Sequence, residues 1–107
     1  MYNELVTALK QTAIPFAEYA WNQRPEGTYG VIAPDGALHD YANNRTEHQS
    51  PQGTVDLFTD TNDRTQVDTV QTVLNTAEGC TWYLNSIQYE DDTRLIHWEW
   101  VWTLDGW

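Results

Sequence analysis

The chain is short of three things: cysteine, positive charge and long apolar runs. Its one cysteine, Cys80, leaves no pair for an intramolecular disulfide, and a reducing compartment is the simplest address for such a chain. Cys80 lies in Glu78-Gly79-Cys80-Thr81 with no histidine near it in sequence, the setting of a structural thiol and not of a nucleophile. Five basic residues stand against sixteen acidic ones, a formal charge of −11. A phosphate backbone would be repelled, so nucleic-acid binding is disfavoured, while the same charge aids solubility. No apolar stretch is long enough to span a bilayer and the first residues do not form a charged-plus-apolar leader, so no membrane partner is expected.

Motifs of chemistry are also missing. There is no Gly-x-Ser-x-Gly elbow and no glycine-rich loop before a helix to cradle phosphate. Asp60, Asn62 and Arg64 fall at the spacing of the first three ligands of a calcium loop, but a guanidinium cannot ligate a cation, and the loop's glycine and closing glutamate are absent. His97 and Glu99 share one strand face yet lack a third ligand. Asn44-Arg45-Thr46 fits a glycosylation sequon, which means nothing without secretion. No enzyme activity, catalytic residue, metal or cofactor is therefore expected.

What the chain does hold is aromatic surface. Six Trp, six Tyr and two Phe in 107 residues, within a hydrophobic fraction of 40% and a charged fraction of 20%, specify one folded domain spanning 1–107. Asn3 suits the cap of a first helix carrying Leu5, Val6 and Leu9, about ten residues long and ended before Pro15. Residues 14–21 read as a strand near a sheet edge. Thr28 to Ala33 reads as a second strand, in which Gly30 marks a bulge or a close approach. From 35 to 53 the chain is polar and turn-rich, a hairpin arm or loop and the first candidate for a contact element. Gln52 to Asp60 alternates as a third strand.

Asp63-Arg64-Thr65-Gln66 fits a capping box ahead of a stripe of Val67, Val70, Val73 and Leu74, with Gly79 as the stop. Thr81 to Glu90 and Arg94 to Leu104 then form a hairpin about an acidic turn. The order α-β-β-β-α-β-β predicts an α+β fold, an antiparallel sheet of about five strands with two helices packed on one face.

On the last strand Ile96, Trp98, Trp100, Trp102 and Leu104 share a face. That row is either the core beneath the two helices or, since three indoles with Trp82 and Trp107 nearby are much for short helices to cover, partly a contact between copies. The candidate oligomer interface is thus Trp82, Trp98, Trp100 and Trp102, with Leu38 and Tyr41 from the arm. Glu90, Asp91 and Asp92 form an acidic tip that is a solvated turn or, in a ring of copies, the rim of a channel that keeps DNA from sticking.

Taken in order, these features resemble the tail-terminator or tail-completion proteins of long-tailed bacteriophages. The residues that carry the resemblance follow the short first helix. They are Glu26-Gly27-Thr28-Tyr29-Gly30-Val31-Ile32 before a polar stretch with Asp40-Tyr41-Ala42-Asn43-Asn44, then Val55-Asp56-Leu57-Phe58-Thr59-Asp60 running straight into a helix, then Ile87-Gln88-Tyr89-Glu90 ahead of an aromatic last strand. Gly27-Thr28 stands where such proteins commonly place a proline. The resemblance implies a virion protein, assembled in the host cytoplasm, that closes into a ring, commonly of six. The ring caps the tail tube, meets neck or head-completion proteins, and lets DNA pass without specific binding. Other readings are a head-closure adaptor, a tube subunit, or an acidic inhibitor that mimics DNA.

Overall fold

The computed structural model of the chain describes residues 1–35, 50–62 and 64–107. Two helices, α1 (Tyr2–Lys10) and α2 (Thr65–Thr76), lie on one face of a five-stranded sheet. Its strands are β1 (Phe16–Glu18), β2 (Tyr29–Pro34), β3 (Gln52–Thr59), β4 (Cys80–Glu90) and β5 (Leu95–Leu104), arranged β1-β2-β3-β5-β4. The chain is α+β with the expected element order. The sheet is mixed, however: β1 runs parallel to β2, and the other three pairings are antiparallel. Residues 19–28 carry the chain back to make that parallel pair. Tyr19, at φ +68°, turns its N–H onto the Ile32 carbonyl, and Trp21 lies edge-on to Tyr29 and donates to the Gly30 carbonyl.

Period-two alternation sorts the sheet into two faces. Phe16, Ile32, Val55, Leu57, Trp98, Trp100, Trp102 and Leu104 point at the helices and meet Tyr2, Leu5, Val6 and Leu9 of α1 and Val67, Val70 and Leu74 of α2. Val73, the fourth residue of the expected stripe, is only partly buried against this core. Gly30 is a close approach and not a bulge, because the Phe16 ring occupies the space a side chain would need. The bulge of the sheet falls in β4 instead, between Leu84 and Ser86.

Helix ends depart from local reading. Asn3 does not cap α1; the helix begins two residues earlier than that cap would allow, with Met1 at the cap, because the Tyr2 N–H finds the Trp107 carbonyl at 2.8 Å. It ends at Lys10, where the Thr12 hydroxyl and N–H both close on the Leu9 carbonyl. Arg64 stands at the cap of α2 without a side-chain bond, and Asp63 lies outside the described residues. The capping-box reading rests on Asp63 and so lies outside the described residues; Gln66 Oε1 is buried with no hydrogen-bond partner among the described residues. Arg94, at φ +61°, belongs to the turn before β5 and not to the strand, and its N–H closes the turn on the Glu90 carbonyl. No helix among the described residues is long and apolar enough to cross a membrane.

Candidate interaction surface

Three of the expected contact residues are not at the surface. Trp98, Trp100 and Trp102 are 3%, 0% and 0% exposed within a single copy. Two short helices suffice to cover them because Tyr2 lies 5.7 Å from Trp102, ring to ring, and the Arg64 guanidinium sits 5.2 Å over Trp98. Trp98 donates to the Thr59 hydroxyl and Trp100 to Gln71 Oε1, each at 3.1 Å. The row is therefore the domain core, and the expectation that part of it meets another copy is corrected. Trp82 is half-buried and tied to α2 through a 2.9 Å bond from its indole to Asn75 Oδ1. Leu38 and Tyr41 lie outside the described residues, as does most of the expected arm at 35–53, of which Gln52 and Gly53 belong to β3.

The exposed apolar surface lies on the neighbouring strand. Tyr83, Leu84, Ile87 and Tyr89 of β4 are 57%, 38%, 50% and 60% exposed. β4 is also the outermost strand, and no strand among the described residues pairs with its far side. Long apolar edges invite pairing with another chain, and proteins usually blunt them with charge, proline or shortness. β4 has none of these: eleven residues, no proline, and no charge before Glu90 at its end, with only the bulge between Leu84 and Ser86 to interrupt it. The opposite edge is blunted, since β1 has three residues, follows Pro15 and turns away at Tyr19. A cue was present in the sequence: on a chain of charge −11, nothing between Glu78 and Glu90 is charged.

Away from the helices the sheet carries a second feature. Tyr29, Phe58 and His97 are cross-strand neighbours stacked in a row, 4.8 Å and 4.3 Å between successive rings. His97 Nε2 lies 2.6 Å from Asp56 Oδ1 and Nδ1 3.4 Å from Glu90 Oε2. The first is a hydrogen bond and the second an ion-pair distance, at which the carboxylate attracts only the protonated ring. The bond to Asp56 raises the His97 pKa, burial opposes it, and the charges of Asp56, Glu90 and Glu99 add to the rise.

The expected acidic tip is thereby divided. Glu90 is half-buried, accepting from the Thr93 hydroxyl and facing His97, whereas Asp91 and Asp92 are exposed in the turn.

A pH dependence follows from His97. A folded-state pKa above the unfolded value contributes stability that is fully present below about pH 6.5, the unfolded value, and is lost as pH rises through the folded one. Denaturant midpoints should fall as pH is raised through this window, and His97→Gln should flatten the fall. An equal slope in the variant would show that the ring does not bind its proton more tightly in the folded chain.

Among the described residues no group of three or more His, Cys, Asp or Glu is placed to hold a metal ion. A groove of about 360 Å³ between the helices is lined by Met1, Leu5, Ala8, Val73 and Ala77, with Glu4 and Glu78 among its polar residues. No family model matches this chain, and no curated protein matches it in sequence.

Proposed function

We propose that this chain is a structural subunit that works by self-assembly, a tail terminator of the long-tailed-phage kind, whose copies form a ring that caps the tail tube and joins it to the neck. The observation that carries the reading is the β4 edge: eleven residues of uncharged strand with Tyr83, Leu84, Ile87 and Tyr89 in solvent. Such an edge supplies main-chain hydrogen bonds and apolar area to a protein partner and has no role in a solitary globule. In a closed ring each copy offers one patch to a different patch of the next, and β4 is the apolar half of that contact. The chain has the α+β order of elements read from its own residues, and the charge of −11 would give a channel wall that DNA slides past.

The partners proposed are further copies, the tail tube protein and neck or head-completion proteins, with the virion as the final location. Negative-stain images and mass measurement, with and without tail tubes, test the reading. Closed rings seated at tube ends, with tube growth arrested there, are the expected result. Open-ended growth would identify a tube subunit instead, and a chain that ignores tubes would remove the terminator reading. The DNA-mimic alternative is weakened on the open face of the sheet, where Asp56, Glu90 and Glu99 bond to His97, Thr93 and Asn85 and are not arrayed as free charges.

A further inference from the structure

The two halves of β4 mirror each other. Leu84 pairs with Trp100 and Ser86 with Glu99, so one extra residue sits at the strand's midpoint and the alternation of faces changes parity there. As a result Trp82, Leu84, Ile87 and Tyr89 all fall on the helix-bearing face, opposite Trp102, Trp100, Trp98 and Ile96 of β5. From either end inward that face presents an aromatic side chain and then an aliphatic one: Trp82 then Leu84, and Tyr89 then Ile87. The small polar pair Asn85-Ser86 lies between them. A strand with this pattern complements its own copy run in the opposite direction.

We infer that free copies of the chain pair through β4, antiparallel, about a two-fold axis at Asn85-Ser86, which joins two sheets into one with all four helices on the same face. In this register Leu84 lies opposite Ile87 of the partner subunit and Trp82 opposite Tyr89 of the partner subunit. Aliphatic thus meets aliphatic and aromatic meets aromatic, pairings that stabilise cross-strand neighbours, and each pair occurs twice, as an isologous contact requires. Charge selects the same edge. Copies at −11 repel wherever their carboxylates meet, but residues 79–89 carry no charge, and this register sets Glu90 against the partner subunit's Thr81 and not against a second carboxylate. The two-fold also superposes the bulges, so both strands bend at one point.

The β1 edge cannot substitute, because it offers three residues before Ala20 folds its N–H back onto the Glu18 carbonyl. The pairing stands without the ring reading. Its meaning rests on that reading: the paired form keeps covered the edge that a ring contact would use, and copies separate when a tube is met.

Light scattering over a dilution series of the full chain tests the inference. The expected mass is twice 12.4 kDa at high concentration, falling to one copy on dilution. Ile87→Lys and, independently, Tyr89→Lys should give single copies throughout, with unchanged circular dichroism because both side chains are exposed. Register is read by cysteine cross-linking in a Cys80→Ser background. A mixture of Leu84→Cys and Ile87→Cys copies should form disulfide-linked pairs on mild oxidation, while Leu84→Cys alone should not. Single copies at every concentration, masses above two copies, or cross-linking by Leu84→Cys alone would each overturn it. Pairs that ignore tail tubes leave the pairing and remove the terminator reading, and single copies that cap tubes do the reverse.

Discussion

Trp100→Ala should leave the chain close to its unfolding threshold, with a loss of about 3–5 kcal/mol, the range for deleting a large buried aromatic side chain. A domain of this kind has roughly 5–15 kcal/mol in total, so much of its stability goes with one indole. Trp100 is fully buried at the centre of the sheet, with Val55 and Leu84 as its cross-strand neighbours and its N–H on Gln71 of α2. Truncation removes the hydrogen bond from β5 to Gln71 of α2 and leaves a hole that strands held on both sides cannot close. Urea unfolding followed by far-UV circular dichroism checks this. The loss should be the same at every protein concentration, because the indole is buried within one copy. A loss that shrank on dilution would return Trp100 to an interface between copies.

Gly53→Ala should also destabilise the chain, though by less, from overpacking where Trp100→Ala leaves a void. Gly53 pairs with Pro34 on one side and Trp102 on the other. A methyl group there would sit 2.1 Å from the Ala33 carbonyl oxygen, 2.6 Å from Trp102 Cζ2 and 2.7 Å from the Pro34 Cα. Two of those atoms are backbone and the third belongs to a fully buried ring, so β2 and β3 must part at this end. Overpacking of this kind costs about 1–3 kcal/mol, occasionally more. Gly106→Ala is the control, since nothing lies within 4 Å of its added carbon and it should stay within about 0.5 kcal/mol of the parent chain. Equal unfolding midpoints for the two variants would mean that the β2–β3 end is looser than these distances allow.

The candidate surface was only half legible beforehand. Trp98, Trp100 and Trp102 announced one strand face through strict alternation, and that face exists. Whether it met helices or a second copy depended on how α1 and α2 spread over it, and no local pattern encodes that. The exposed residues of β4 went unnoticed because Tyr83, Leu84, Ile87 and Tyr89 do not alternate cleanly: the bulge shifts the period in mid-strand, and a bulge leaves no mark in composition. The cluster of His97, Asp56 and Glu90 was missed for a related reason. Its members stand on three strands, and register alone makes them neighbours.

Residue order alone settled the number and kind of elements among the described residues, with their apolar stripes, because a helix repeats every 3.6 residues and a strand every two, and each period is written within a dozen neighbours. The parallel seat of β1, the start of α1 against the Trp107 carbonyl, the burial of the indole row and the exposure of β4 came only with the assembled sheet. Each depends on groups far apart in the chain, whose meeting is decided by which edges and faces find cover once the core has closed.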